Sequence, residues 1–378
     1  MASFTVDHVF VLDETPEEAF SAAQQQGNAS MASGDERARA LSLIKSAEAL
    51  ALMGRVDEAS GYAGEAMNVC SEMKFEEGRA AAMNALTKVA MKRGRDAEEL
   101  EEALDSGMDT LKLCRKLVFK KGEAVALLTL SSVYSAMANA AQALKYGKEA
   151  LPYFAELGEA RSVAVAYKVL SEAYLVKSDT SRAAKQLTKA LAIYEEAKDK
   201  SKMAKCLHTL ATVEAKGGDY KKASDALSKA KALFAEVGDA YGQAAVMDTL
   251  MGFYLEAGMY VEAVSVGQSR IQIFHDSGDL GEEANAMVKL SQILLDNEDV
   301  DKACGLAQGA LSMFAGLGDM NGLKRAKDVH DDAKREQNVE EITRALSMVE
   351  DFTHIPRTLV VDPGLTKRVT EAYASAMH

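Results

Sequence analysis

Apolar and small residues return along this chain in alternating stripes. Within residues 164–200, Ala164, Tyr167, Leu170, Ser171 and Tyr174 stand three and four apart, the spacing of one face of an amphipathic helix. Lys177-Ser178-Asp179-Thr180 interrupts the stripe with turn and capping residues. A second stripe follows at Ala183, Leu187, Ala190, Leu191 and Tyr194, and Asp199 marks its exit. The pattern predicts two helices joined by a short turn, which must pack antiparallel.

The pair then recurs. Phe154, Tyr194, Phe234, Phe274 and Phe314 stand 40 positions apart, as do Leu130, Leu170, Leu210, Leu250 and Leu290. Ala124, Ala164, Ala204, Ala244 and Ala284 keep the same step. A fixed period of this size marks a repeat array, in which each unit buries its apolar face against its neighbours and the assembly works through an extended surface. The turns carry Gly54, Gly94, Asn139, Asp179, Gly217-Gly218-Asp219, Gly258 and Asn297 inside units, and Gly158, Gly238-Asp239, Gly278-Asp279 and Gly318-Asp319 between them. Glycine after a helix followed by an aspartate cap accounts for both sets. The expected architecture is an all-α solenoid of about seven antiparallel helix pairs over residues 35–322.

Two features break the period. The step from Leu86 to Leu130 is 44, and the extra residues fall in the acidic stretch 96–105, as a turn or a longer helix start that is either solvated or a partner contact. Pro152 lies inside a second helix, where it removes the bond to the Lys148 carbonyl and is expected to bend the array locally.

The ends differ from the repeats. Residues 4–12 alternate like an extended arm, Thr15 and Pro16 open a short helix, and residues 24–34 read as a linker. Residues 323–350 form a polar helix that caps the array with a wet face. Residues 351–378 read as an extended segment and a short amphipathic helix that folds back, lies in a groove or reaches a second protein.

Composition narrows the function. A formal net charge of −13 argues against nucleic acid as the main partner and against an anionic membrane surface. No apolar run spans a bilayer, and the first residues lack the basic flank of a secretory or transit signal, so a cytoplasmic protein is expected. Cys70, Cys114, Cys206 and Cys304 then read as free thiols in a reducing compartment. Chemistry is sparse. The glycines of residues 316–322 follow a helix and have the wrong spacing for a phosphate loop, while the acids at 296, 298, 299 and 301 lack the glycine and closing glutamate of a calcium loop. The six histidines form no pair at ligand spacing on one helix. No catalytic residue, metal or cofactor is expected, and the chain reads as a non-enzyme.

Tyr167, Leu170, Ser171, Tyr174, Ala183, Leu187 and Ala190 resemble the tetratricopeptide-repeat motif, and Leu207, Leu210, Ala211, Glu214, Ala223, Leu227 and Ala230 repeat it. The unit lacks the closing proline and runs six residues longer than the usual 34, as in the 40-residue variety of spindle-orientation adaptors of the LGN type, kinesin light chains and bacterial Rap-type regulators. The resemblance implies a right-handed superhelix whose first helices line a concave groove. Helical spacing then nominates Asn84, Lys88 and Lys92; Leu128, Ser132 and Ser135; Lys168, Glu172 and Leu175; His208, Thr212 and Lys216; Asp248, Gly252 and Leu255; Val288, Gln292 and Leu295. Lysines prevail early and Asp248, Glu256 and Asp296 late, so the groove is expected to be polarised and to take an extended or helical segment of a protein partner. The alternatives are a stoichiometric structural subunit held through its edges and termini, and a peptide-responsive Rap-like regulator. The oligomeric state is open at this stage.

Overall fold

The computed structural model describes residues 16–94 and 96–352, and among these the regular structure is entirely α-helical. Helix α1 (Pro16–Ser33) precedes seven pairs: α2 (Glu36–Leu52) with α3 (Val56–Glu72), α4 (Glu76–Arg93) with α5 (Ala97–Lys116), α6 (Lys120–Ala136) with α7 (Ala140–Glu156), and α8 (Ala160–Val176) with α9 (Thr180–Glu196). Then come α10 (Lys200–Lys216) with α11 (Tyr220–Glu236), α12 (Ala240–Glu256) with α13 (Tyr260–Ser277), and α14 (Leu280–Asp296) with α15 (Val300–Leu317). Helix α16 (Met320–Phe352) closes the series. The chain forms two compact units, Met1–Leu233 and Phe234–His378, divided inside α11.

Capping residues set the helix starts. Asp35, Asp96, Asn139, Asp179, Asp199, Asp239 and Asp279 each accept the N–H three residues on, as when Lys202 donates to Asp199 Oδ1 at 3.1 Å. Each such cap contributes about 1 kcal/mol. Most of the stops share one geometry, α4 excepted, which ends on the extended Gly94. The N–H of Asp199 donates to the Tyr194 carbonyl at 3.0 Å, and that of Lys198, whose φ is 53°, donates to Glu195 at 3.0 Å. That is the Schellman motif, which places the residue five positions downstream beside the last-turn side chain. Glycine fills the left-handed position at Gly158 and Gly278, but Val118 adopts φ 56° with a β-branched side chain that is 79% exposed.

Within each unit, first helices pack on their own second helices, as α2 on α3, α4 on α5, α6 on α7 and α8 on α9 in the first and α12 on α13 and α14 on α15 in the second, and in places on the next first helix as well. The α2–α4, α4–α6 and α6–α8 contacts do this in the first unit and α14–α16 in the second. The alanine column at 124, 164, 204, 244 and 284 is buried. The aromatic column is the bulkiest part of the core: Phe154, Tyr194, Phe234, Phe274 and Phe314 are all at most 2% exposed. Rings of this column press on the first turn of the following helix. A Cβ at Gly242 or Gly322 would run into the ring of Phe234 or Phe314.

In the first two repeats Cys70 and Cys114 stand where the aromatic column would be, and the ring comes from elsewhere. Phe75 and Phe119 occupy the position five residues downstream, and a Cβ at Gly78 or Gly122 would meet both ring and sulfur. Burial pushes the thiols of Cys70, Cys114 and Cys206 up to about 11, 12 and 11, while Cys304 is half-buried.

Some expectations change here. Residues 24–33 are helix, not linker: α1 runs unbroken to Ser33, buries Ala23 on one face, sets Phe20 edge-on to Tyr62 at 6.4 Å, and stops only at Gly34 with φ 70°. The additional residues of the second repeat lengthen the start of α5 to 20 residues, with Glu98, Glu101, Glu102 and Asp105 exposed. Helix α7 continues through Pro152, which is exposed. The polar stretch after residue 320 is helical to Phe352, and Ala326, Val329, His330 and Ala333 form its buried face. The predicted arm at residues 4–12 and the tail from 353 lie outside the described residues. No described helix is long and apolar enough to cross a membrane.

Candidate binding face

The first helices of the pairs carry the nominated residues, and the structure sorts them into three groups. Asn84, Leu128 and Leu295 are buried and belong to the packing, not to an accessible surface. The reason is the contact between successive first helices, which covers one step of the stripe beside the main seam. Asn84 Nδ2 reaches Glu48 at 3.5 Å, so its amide is structural.

Two nominated charges are already engaged. Lys88 Nζ lies 2.7 Å from Glu48 Oε1, its counterpart exactly one period earlier in sequence, and both side chains are largely covered. Glu48 carries the same stripe into the first repeat. In the second unit Asp248 has Lys289 Nζ at 2.8 Å and Arg270 Nε at 3.1 Å, so it is not the free acid expected there. Arg270 carried a visible signal: it interrupts a column of alanines at 150, 190, 230 and 310.

The rest remain accessible to differing degrees. In the first unit Lys92, Glu172 and Lys216 are exposed, while Ser132, Ser135, Lys168, Leu175, His208 and Thr212 are half-buried. In the second unit Gln292 is exposed and donates to Asp296 at 2.8 Å, whereas Gly252, Leu255 and Val288 are half-buried.

Glu172 defines the geometry of the first unit's face. Its side chain is open to solvent, yet burial is the main influence on its carboxyl and holds it above the ordinary carboxylate range, with Lys168 and Lys92 acting in the opposite direction. Lys168 sits one turn away on α8. Lys92 belongs to α4. Lysines on helices two repeats apart thus both favour the charged form of this carboxylate.

The sign of the pH effect follows. Because the folded-state carboxyl titrates above its unfolded value, its contribution to stability is present below about pH 4 and is lost as the pH rises through the folded value. Glu172→Gln is expected to raise the thermal midpoint slightly at pH 7 and to leave it unchanged below about pH 4. Calorimetry at both pH values checks this, and an equal shift at both would show that the carboxyl is not crowded.

Among the described residues no three His, Cys, Asp or Glu side chains gather in a way that would hold a metal ion.

The chain folds as an α-solenoid of the tetratricopeptide-repeat type. It superposes on the signal-transduction ATPase with a tetratricopeptide-repeat sensor from Pyrococcus horikoshii with a TM-score of 0.50 at 13% identity, over 86% of this chain and 54% of that one. It is also similar to aspartyl phosphate phosphatase F from Bacillus subtilis, with a TM-score of 0.48, 14% identity and 89% and 91% of the two chains covered. A kinesin light chain from Podospora anserina with nearly identical TPR-like repeats matches with a TM-score of 0.42 at 17% identity, over 53% of this chain and 97% of that one. No family model matches the sequence, and no curated protein matches it.

Proposed function

We propose that this protein is a non-enzymatic adaptor that holds a segment of a protein partner, extended or helical, against the first-helix face. The convergence of Lys92 and Lys168 on the solvated but crowded Glu172 carries this reading. Such a recess strengthens charge pairing relative to open water and fixes the register of a bound segment. Leu175 and Ser132 beside it supply an apolar and a hydrogen-bonding contact, and His208 extends the face along α10. A partner cation opposite Glu172 and a partner carboxylate opposite Lys92 and Lys168 complement the cluster.

Lys92→Glu with Lys168→Glu is the direct test, because neither lysine carries core packing. Partners retained from native lysate by the wild type are expected to be lost by this variant, with helicity unchanged by circular dichroism. Retention should also weaken as the pH falls and Glu172 takes up its proton. A variant that retains the same partners equally well overturns the assignment of this face.

A second reading, a subunit held permanently through its edges, is favoured by apolar side chains at the turns between repeats. Val118 is 79% exposed, and Leu157 lies beside an open cavity of about 280 Å³ lined by Phe154, Ala155, Gly158, Glu159, Ala160, Val163 and Ile193. If the edge is the docking surface, Val118→Lys with Leu157→Lys abolishes retention and the groove variant does not.

A further inference from the structure

The second helices of the first unit carry a surface that partner binding on the first helices does not use. Helices α3, α5, α7 and α9 each pack on the first helices before and after them, which leaves their outer faces uncovered. Charge is segregated along these faces. Helix α3 carries four acids and no cation, and residues 97–109 of α5 carry six acids and no cation. The sign then changes. In α7, α9 and residues 220–233 of α11, nine cations stand against five acids, three of which lie in the last turns of α7 and α9. Lys145, Lys148, Lys185, Lys189, Lys229 and Lys231 are all exposed.

Neither local helix physics nor internal pairing accounts for this pattern. Glu98 and Glu102, Glu101 and Asp105, and Lys185 and Lys189 stand one turn apart, where like charges destabilise a helix. Glu72 lies in the last turn of α3, the end that disfavours an acid. Glu72, Glu101 and Glu102 form no ion pair among the described residues, nor do Lys185, Lys229 and Lys231. Lys145, Lys148 and Lys189 lie over the rings of Tyr146, Tyr174 and Tyr167, at 5.4, 6.0 and 5.1 Å, which positions the ammonium groups without cancelling their charge. The residues that break the 40-residue period, 96–105, fall in the acidic half and supply most of the acids of α5.

We propose that two copies of this chain associate through this face about a two-fold axis, so that the acidic α3–α5 end of each meets the basic α7–α9–α11 end of the other. A face that carries the two signs in separate halves is complementary to itself when the second copy is turned end for end, and the two contacts are then identical. Exposed charge pairs are individually weak and screened by salt, so the dimer is a low-affinity, salt-sensitive one. None of these residues is among those assigned to partner binding, so a dimer presents two copies of the first-helix face.

Sedimentation of the full chain at about 0.03 M and about 0.3 M salt tests the dimer. The wild type is expected to shift from monomer to dimer with rising concentration at the lower salt, and its dissociation constant to rise about tenfold or more at the higher. Glu101→Lys with Glu102→Lys is one variant, and Lys185→Glu with Lys189→Glu is the other. Each alone is expected to be monomeric, with helicity unchanged by circular dichroism. Mixed together they are expected to form a dimer, because both contacts then regain opposite signs, and this also shows that both variants are folded. A wild type that stays monomeric at the lower salt overturns the proposal, as does self-association that both variants retain. Variants that stay monomeric when mixed overturn the pairing of these two ends. Growth beyond the dimer overturns the two-fold arrangement, since head-to-tail contacts do not close.

Discussion

Phe314→Ala is expected to lower the stability of the second unit by about 3–5 kcal/mol, the range for truncating a fully buried phenylalanine. Phe314 is 0% exposed and packs with Ala284 of α14, Ala310 of α15 and Ala326 of α16, so one side chain joins three helices. Its fully buried neighbours are alanines, while Met287, Leu311, Met313 and Leu323 pack around the same cluster, and how far they refill the space sets where in the range the cost falls. Phe314→Leu, which keeps most of the volume, should cost under about 1.5 kcal/mol. Urea denaturation of the three proteins measures both, and a loss under about 1 kcal/mol for the alanine variant would remove the column from the structural role given to it here.

The same column shows how far the sequence could be read. Its 40-residue step and the two stripes of each unit were legible because repeat neighbours impose identical packing on identical positions. The face beside it was legible only in outline. Lys88 and Glu48 pair across one period, and Asn84 and Leu128 vanish under the next first helix, because accessibility here depends on the neighbouring repeat and not on the helix itself. The second half of helix α1 reads as a linker in the sequence because its polar run of glutamines hides a narrow apolar edge at Phe20 and Ala23. Arg270 is visible as an exception in an alanine column, but its pairing with Asp248 is visible only in the fold.

The first two repeats hide a further regularity that a fixed period cannot detect. Their column positions hold Cys70 and Cys114, and the ring has moved five residues downstream to Phe75 and Phe119. The Schellman turn makes this exchange possible. The N–H of Phe75 donates to the Cys70 carbonyl at 2.9 Å, just as Asp199 does to Tyr194, so the two side chains lie together and the junction has room for one ring. When the ring sits upstream, the downstream position is free to be a capping aspartate; when it sits downstream, that cap is lost, and Phe75 makes no side-chain capping bond. Cys70→Phe alone therefore places two rings in one space, at a cost of about 1–3 kcal/mol from overpacking. Phe75→Asp alone removes the ring and leaves the small thiol facing a cavity, at a cost of about 3–5 kcal/mol. The double variant recreates the junction of the later repeats, with Phe over Gly78 and Asp as the cap. It is expected to recover most of both losses, a coupling at or above the upper end of the 0.5–3 kcal/mol range seen for residues in contact. Single and double variants measured by chemical denaturation form a complete cycle. Additive losses would mean that the two positions do not share one ring site and that the cysteine repeats are built on a different junction.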